Sequence, residues 1–303
     1  MLWLGVLAIA SSVTFFIAAN WNDFGRFAKF GLLEGLIALC LVAYWLISKK
    51  ESFSVSQLKE KHTHLFSKVA LLLASLFLGV LLAFYGQTYQ TGADTWQLFF
   101  TWAVLILPWV FVARFPALWI FWIALLNVAA ILYFKTFGGF LDTFIFSGLN
   151  QLWIAALLNL SALVLWELLK KRWQWLSEIW ATRALALAGG MPLTILTMEV
   201  VSGKGKGFVA LLLWLLGMTL IYIVYRKQKI DLFMLAMACL SGISVVISFF
   251  FNLIGSHMAS FLLMFILIIV LGGLSARWLK KIHKESLNID IADFSERKRS
   301  SDG

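Results

Sequence analysis

Long apolar runs alternate with short polar connections along the whole chain, and that alternation limits the fold more than any other feature of its 303 residues. A hydrocarbon core near 30 Å thick takes about 20 mostly apolar residues to cross, and a helix satisfies its own backbone groups while doing so. Ten stretches answer to this: 2–19, 30–47, 69–85, 95–113, 117–134, 151–169, 184–201, 208–225, 232–254 and 259–276. Composition agrees, with 62% hydrophobic and 13% charged residues, against roughly 45–50% and 25% in soluble domains. The expected fold is all-α: a polytopic membrane helical bundle of about ten transmembrane helices, with the lipid bilayer as its first partner. It divides into a membrane half at 1–145, a second at 146–276 and a charged tail at 277–303, each half holding five spans.

The first run lacks the basic lead and the short apolar segment of a signal peptide, so it is read as a span. The net charge of +10 sits in connections between spans, where Lys and Arg orient a membrane protein, and nucleic acid is therefore not an expected partner. Cys40 and Cys239 both fall inside apolar runs and read as small packed side chains. Of the 25 Lys and Arg residues, alternate connections hold 20 on one side, and only Arg26, Lys29, Lys135, Lys204 and Lys206 on the other. Cytoplasmic loops carry the excess. Both termini are thus expected in the cytoplasm, with anionic lipid headgroups as a further partner on that side, and the inner membrane is the expected location.

By this orientation GQTYQTGAD, residues 86–94, faces outward. Gln87, Tyr89, Gln90 and Asp94 offer donors and acceptors for a small polar ligand, or else they cap helix ends, as Thr91 to Asp94 ahead of a span would suit. Ionisable groups inside spans are costly and point to function. Glu34 lies about four residues into its span, on the order of 6 Å along the axis; it either snorkels beside Lys29 or Arg26, or it forms part of a site. Gly31 and Gly35 around it make a GxxxG, and Ser75, Gly79 and Ala83 give the third span a similar small-residue face. If those faces meet, Glu34 lies beneath the outer loop, and Glu199 near the outer end of the seventh span joins the same cavity or simply touches water at the rim.

Other polar residues have plainer explanations. Glu167 stands three and four residues before Lys170 and Lys171, as for a local ion pair, and Arg183 enters its span at a boundary where it can snorkel. Asn127 and Asn159 fall at span midpoints and suit interhelical hydrogen bonds. KKRWQWLSEIWAT spaces Trp173, Leu176 and Trp180 on one helical face, which fits either an interfacial helix or an irregular loop with interfacial tryptophans. Hydrolase, metalloprotease and dithiol signatures are absent, SGKGKGF lacks P-loop spacing, and neither a metal nor a cofactor is called for. The connection before the third span and the tail after the tenth are each expected to hold a short helix at most.

Two blocks, AANWNDFGRFAKFGLLEGL (18–36) and GQTYQTGADTWQLFFTWAVLILPWVFVAR (86–114), resemble the bacterial membrane proteins grouped as domain of unknown function 2157. The resemblance covers roughly the first 140 residues. It implies family positions at Asn20, Trp21, Lys29, Gln87, Tyr89 and Asp94, and it implies a polytopic bacterial membrane protein without an assigned activity. Relatives commonly carry a soluble helical segment ahead of the first span, whereas this chain starts on the span. Three functions stay open: recognition or transport of a small polar molecule or ion through an outward-facing site; a non-transporting structural or assembly role; and an enzyme acting on lipid-linked substrates, which requires Glu34, Asp94 and Glu199 to converge.

Overall fold

The computed structural model describes residues 2–19, 25–51, 57–137, 150–205, 208–228, 230–255 and 258–301. Among them no strand occurs. The helices are α1 (Leu2–Ala19), α2 (Arg26–Glu51), α3 (Gln57–Tyr89), α4 (Thr95–Ala113), α5 (Pro116–Phe137), α6 (Asn150–Leu169), α7 (Ile179–Val201), α8 (Val209–Tyr222), α9 (Leu232–Ile254) and α10 (Met258–Ser301). Among the described residues nine helices are long and apolar enough to cross a membrane. The remaining one, α1, has 18 residues, or about 27 Å at 1.5 Å per residue, the short limit for a span.

Several helices outrun their apolar runs. The expected tail is no separate short helix, because α10 continues for 44 residues to Ser301; nothing between Ala276 and Lys280 breaks the pattern, since Arg, Leu and Lys are good helix formers. At the other extreme, KKRWQWLSEIWAT yields only a 3₁₀ turn at Gln174–Leu176, with Trp180 already in α7. The irregular loop is thus the form this segment takes. α4 and α7 run through Pro108 and Pro192.

Two compact units divide the chain: Met1–Thr136 with Trp173–Glu178, and Phe137–Arg172 with Ile179–Gly303. In lipid, helices gain little from leaving an apolar solvent, so packing and interhelical hydrogen bonds hold them together. In the first unit α2 packs on α3 through Phe30, Leu33, Leu36, Ile37 and Cys40 against Ala74, Phe77 and Phe84. The small-residue face of α3 is used otherwise than expected. Gly79 lies under the Trp102 ring of α4, where an added Cβ would come within 2.1 Å of it, and the Trp102 indole N–H donates to the Ser75 carbonyl at 2.7 Å.

The Arg114–Phe115–Pro116 hairpin turns as its brevity requires. Arg114 takes the left-handed conformation that closes α4 (φ 44°, ψ 49°), and Pro116 supplies the first residue of α5, where its missing N–H costs nothing. The antiparallel register shows in Trp122 donating to the Ala103 carbonyl at 3.0 Å and in the Trp102–Phe121 ring contact at 5.4 Å. Trp175 of the 3₁₀ turn lies 5.9 Å from Trp119, ring centre to ring centre.

In the second unit Gly189 lets α7 approach α6 so closely that an added Cβ would stand 3.0 Å from the Leu160 backbone nitrogen. Thr194 and Ser241 hydroxyls meet at 2.6 Å between α7 and α9, and the Trp214 indole of α8 donates to the same Ser241 oxygen at 2.8 Å. Asn127 and Asn159 each donate to a carbonyl four residues earlier in their own helix, at 2.8 Å.

Candidate functional site

The expected pocket below GQTYQTGAD rested on α2 and α3 meeting through their small residues. They do not. Gly31 and Gly35 are exposed and an added Cβ at either would meet nothing within 4 Å. Leu33, one residue before Glu34, takes the place against α3, and the 100° step between neighbours on a helix turns Glu34 outward. Glu34 is exposed and makes no ion pair among the described residues. The meeting of small-residue faces that would place it beneath GQTYQTGAD, the turn between α3 and α4, is therefore not seen.

About one turn nearer the start of α2 than Leu33, Lys29 also faces α3; it is only 7% exposed, with its ammonium 6.0 Å from the centre of the Phe84 ring. Rings gather beside it: Phe30 stands 4.6 Å from Phe84 and 6.0 Å from Tyr89, and Tyr85 stands 4.8 Å from Tyr89. A cation over an aromatic face is held by the ring quadrupole, more strongly as water is excluded.

GQTYQTGAD is in part helix. Gly86 to Tyr89 form the last turn of α3, and only Gln90 to Asp94 form the turn. Gln90 and Gly92 take positive φ, 44° and 64°; at Gly92 this costs little, since glycine has no Cβ to collide. Gln87, Tyr89, Gln90 and Asp94 are all exposed. Asp94 occupies the cap position of α4 with extended backbone, yet its side chain makes no capping bond and instead accepts from the Trp96 indole at 3.4 Å. Capping therefore does not account for its carboxylate. Asn20 and Trp21 lie outside the described residues.

Glu199 belongs to the second unit and uses its main chain: its carbonyl accepts from Lys204 and Gly205 N–H groups at 3.1 and 2.8 Å, closing α7. Gly203, at φ 72°, makes that turn possible.

In the second unit a polar cluster joins Arg183 and Glu167 to partners the sequence reading passed over. Asp231 precedes α9 and accepts from the Phe233 and Met234 N–H groups at 3.0 and 3.3 Å. Arg183 grips the same carboxylate with two parallel bonds, Nε to Oδ2 at 3.1 Å and Nη2 to Oδ1 at 3.0 Å, while stacking 5.0 Å from Phe233. Arg183 thus pairs with a neighbour helix instead of snorkelling alone. Close by in chain order, Ile223–Gln228 winds as a π-helix, a form that often marks functional positions. It carries the buried Tyr225, whose hydroxyl donates to Glu167 at 3.1 Å, and Glu167 also binds Lys170 as its spacing led one to expect. Arg226 reaches Glu285 of α10 at 2.5 Å.

Asp231 had a legible signal. It is the sole acidic residue between the eighth and ninth spans and stands directly before an apolar run, as helix caps do; a count of Lys and Arg passes over it. Among the described residues no group of three or more His, Cys, Asp or Glu side chains is placed to hold a metal ion.

No curated protein and no solved structure matches this chain. Its first 119 residues, from α1 into α5 and including Lys29, Glu34 and all of GQTYQTGAD, match a family model, and what that family is described as is a predicted membrane protein (DUF2157).

Proposed function

We propose that this multi-pass membrane protein recognises or transports a small polar molecule or ion where α3 turns into α4, beside the start of α2, on the outer face of an inner membrane. The observation that carries this reading is Lys29, a buried cation beside Phe84, from which a run of rings leads through Phe30 to Tyr89 at the foot of the exposed turn of Gln90 to Asp94. A buried ammonium costs solvation even at the edge of a span, which makes it a candidate functional group. The outward orientation follows from the fourfold excess of Lys and Arg in the other set of connections. No catalytic step is part of this reading. Glu34 faces away from the turn, and the convergence of three carboxylates that a lipid-linked-substrate enzyme requires gains no support.

A thermal-shift screen of the purified protein against polar metabolites and ions tests the proposal. A ligand at about 100 times its Kd stabilises by about 2.7 kcal/mol, which is a clear rise in melting temperature. That rise should disappear in Lys29→Met and Tyr89→Ala and persist in Glu34→Gln. A panel in which nothing stabilises the wild type, or in which Lys29→Met responds equally, removes the reading.

A second reading, an assembly role without transport, is favoured by the uncovered α2 face on which Ala28, Gly31, Glu34, Gly35 and Ala38 are all exposed. Small residues at this spacing let another helix come close. Disulfide crosslinking of Gly35→Cys in native membranes that recovers only the monomer would count against it.

A further inference from the structure

We infer that the turns of α10 just past its apolar stretch form a binding site for an anionic phospholipid, one that takes both headgroup and acyl chain. The argument begins with what that segment packs against. Ile282 is 1% exposed and sits with Trp278 and Leu279 against Tyr225, Met234 and Leu235, while Glu285 holds Arg226 of the π-helical turn. This side of α10 is therefore anchored to its own unit.

The opposite side is basic. Arg277, Lys280, Lys281 and Lys284 are all exposed, and at 100° per residue they fall within an arc of about 100°, centred nearly opposite Ile282. The one acidic residue of these turns, Glu285, is already engaged by Arg226, so the arc presents positive charge that its own helix does not neutralise.

The same arc continues along the apolar part of the helix. Ile266 and Val270, 52% and 49% exposed, and Gly273 lie on it one to three turns before Arg277. An added Cβ at Gly272 or Gly273 would meet nothing within 4 Å, so the helix is slim where a chain would lie along it. An apolar strip that ends in four cations has the chemistry of one molecule class: an acyl chain ending in a phosphodiester. A free phosphate matches only the basic half. Near a bilayer surface each Lys or Arg strengthens attraction to anionic lipid about fivefold.

Native mass spectrometry of the full chain in detergent, titrated with phosphatidylglycerol or with phosphatidylcholine of the same acyl chains, tests the site. Wild type should bind phosphatidylglycerol at least tenfold more tightly than phosphatidylcholine. Lys280→Gln with Lys281→Gln should lower phosphatidylglycerol affinity by about 25-fold without changing the melting temperature in lipid-free detergent. Gly273→Trp, which fills the strip and leaves every charge in place, should weaken it as well. Equal binding of the two lipids overturns the proposal, as does wild-type affinity in the double variant. Full competition by glycerol phosphate, which has no chain, would reassign the arc to soluble phosphates and overturn it too.

Discussion

Replacing Asp231 removes two supports at once, and the structure allows them to be separated. Its carboxylate caps α9 through Phe233 and Met234 and binds Arg183 bidentately. Loss of a cap costs about 1 kcal/mol. A fully buried pair left without one partner costs about 3–5 kcal/mol, but Arg183 is 39% exposed against 13% for Asp231, and solvent reaching the guanidinium brings the pair closer to the value of exposed pairs, about 1 kcal/mol. Asp231→Ala should therefore destabilise by about 2–3 kcal/mol. Asp231→Asn keeps a competent cap and should lose about 1 kcal/mol, and Arg183→Gln about the same. Equilibrium unfolding in mixed micelles of detergent and sodium dodecyl sulfate measures all three. The Arg183→Gln, Asp231→Ala double variant should be less destabilised than the summed singles, because they share one pair. If Asp231→Ala costs no more than Asp231→Asn, or if the double variant is additive, the dual role assigned to this carboxylate is wrong.

Three further outcomes follow from the packing. Gly79→Ala places a methyl inside the Trp102 ring, so overpacking should cost at least about 1–3 kcal/mol, with partial recovery in a Trp102→Leu background on the same unfolding assay. Gly31→Ala and Gly35→Ala meet open space and should each leave stability unchanged or raise it by roughly 0.5–1 kcal/mol through helix propensity; a loss comparable to that of Gly79→Ala would mean α2 packs differently. Tyr225→Phe removes the hydroxyl bond to the Glu167 carboxylate and should cost about 1.5–3 kcal/mol, the range for a bond to a charged group, unless Glu167→Gln has been introduced first, in which case the increment should shrink.

What the amino-acid sequence determined here is which segments form helices of span length; how far α3 and α10 run beyond their apolar stretches it did not. An apolar run of span length has no alternative in a solvent that cannot bond to backbone groups, and the Arg114–Phe115–Pro116 hairpin and the Glu167–Lys170 pair are local enough to follow from spacing alone. Tertiary structure decided which side of each helix meets which neighbour. Every side of α2 is apolar or small enough to pack in lipid, so the GxxxG at Gly31 and Gly35 could not say whether α3 or open membrane lies against it; bulky Phe30, Leu33 and Phe77 interlock better and took the contact. That rotation by one residue sent Glu34 out and Lys29 in. Gly79 found the Trp102 ring, and Asp231 found Arg183, 48 positions away. Such pairings are set by shape and hydrogen-bond geometry between distant segments, and in a chain this uniformly apolar no hydrophobic pattern marks them beforehand.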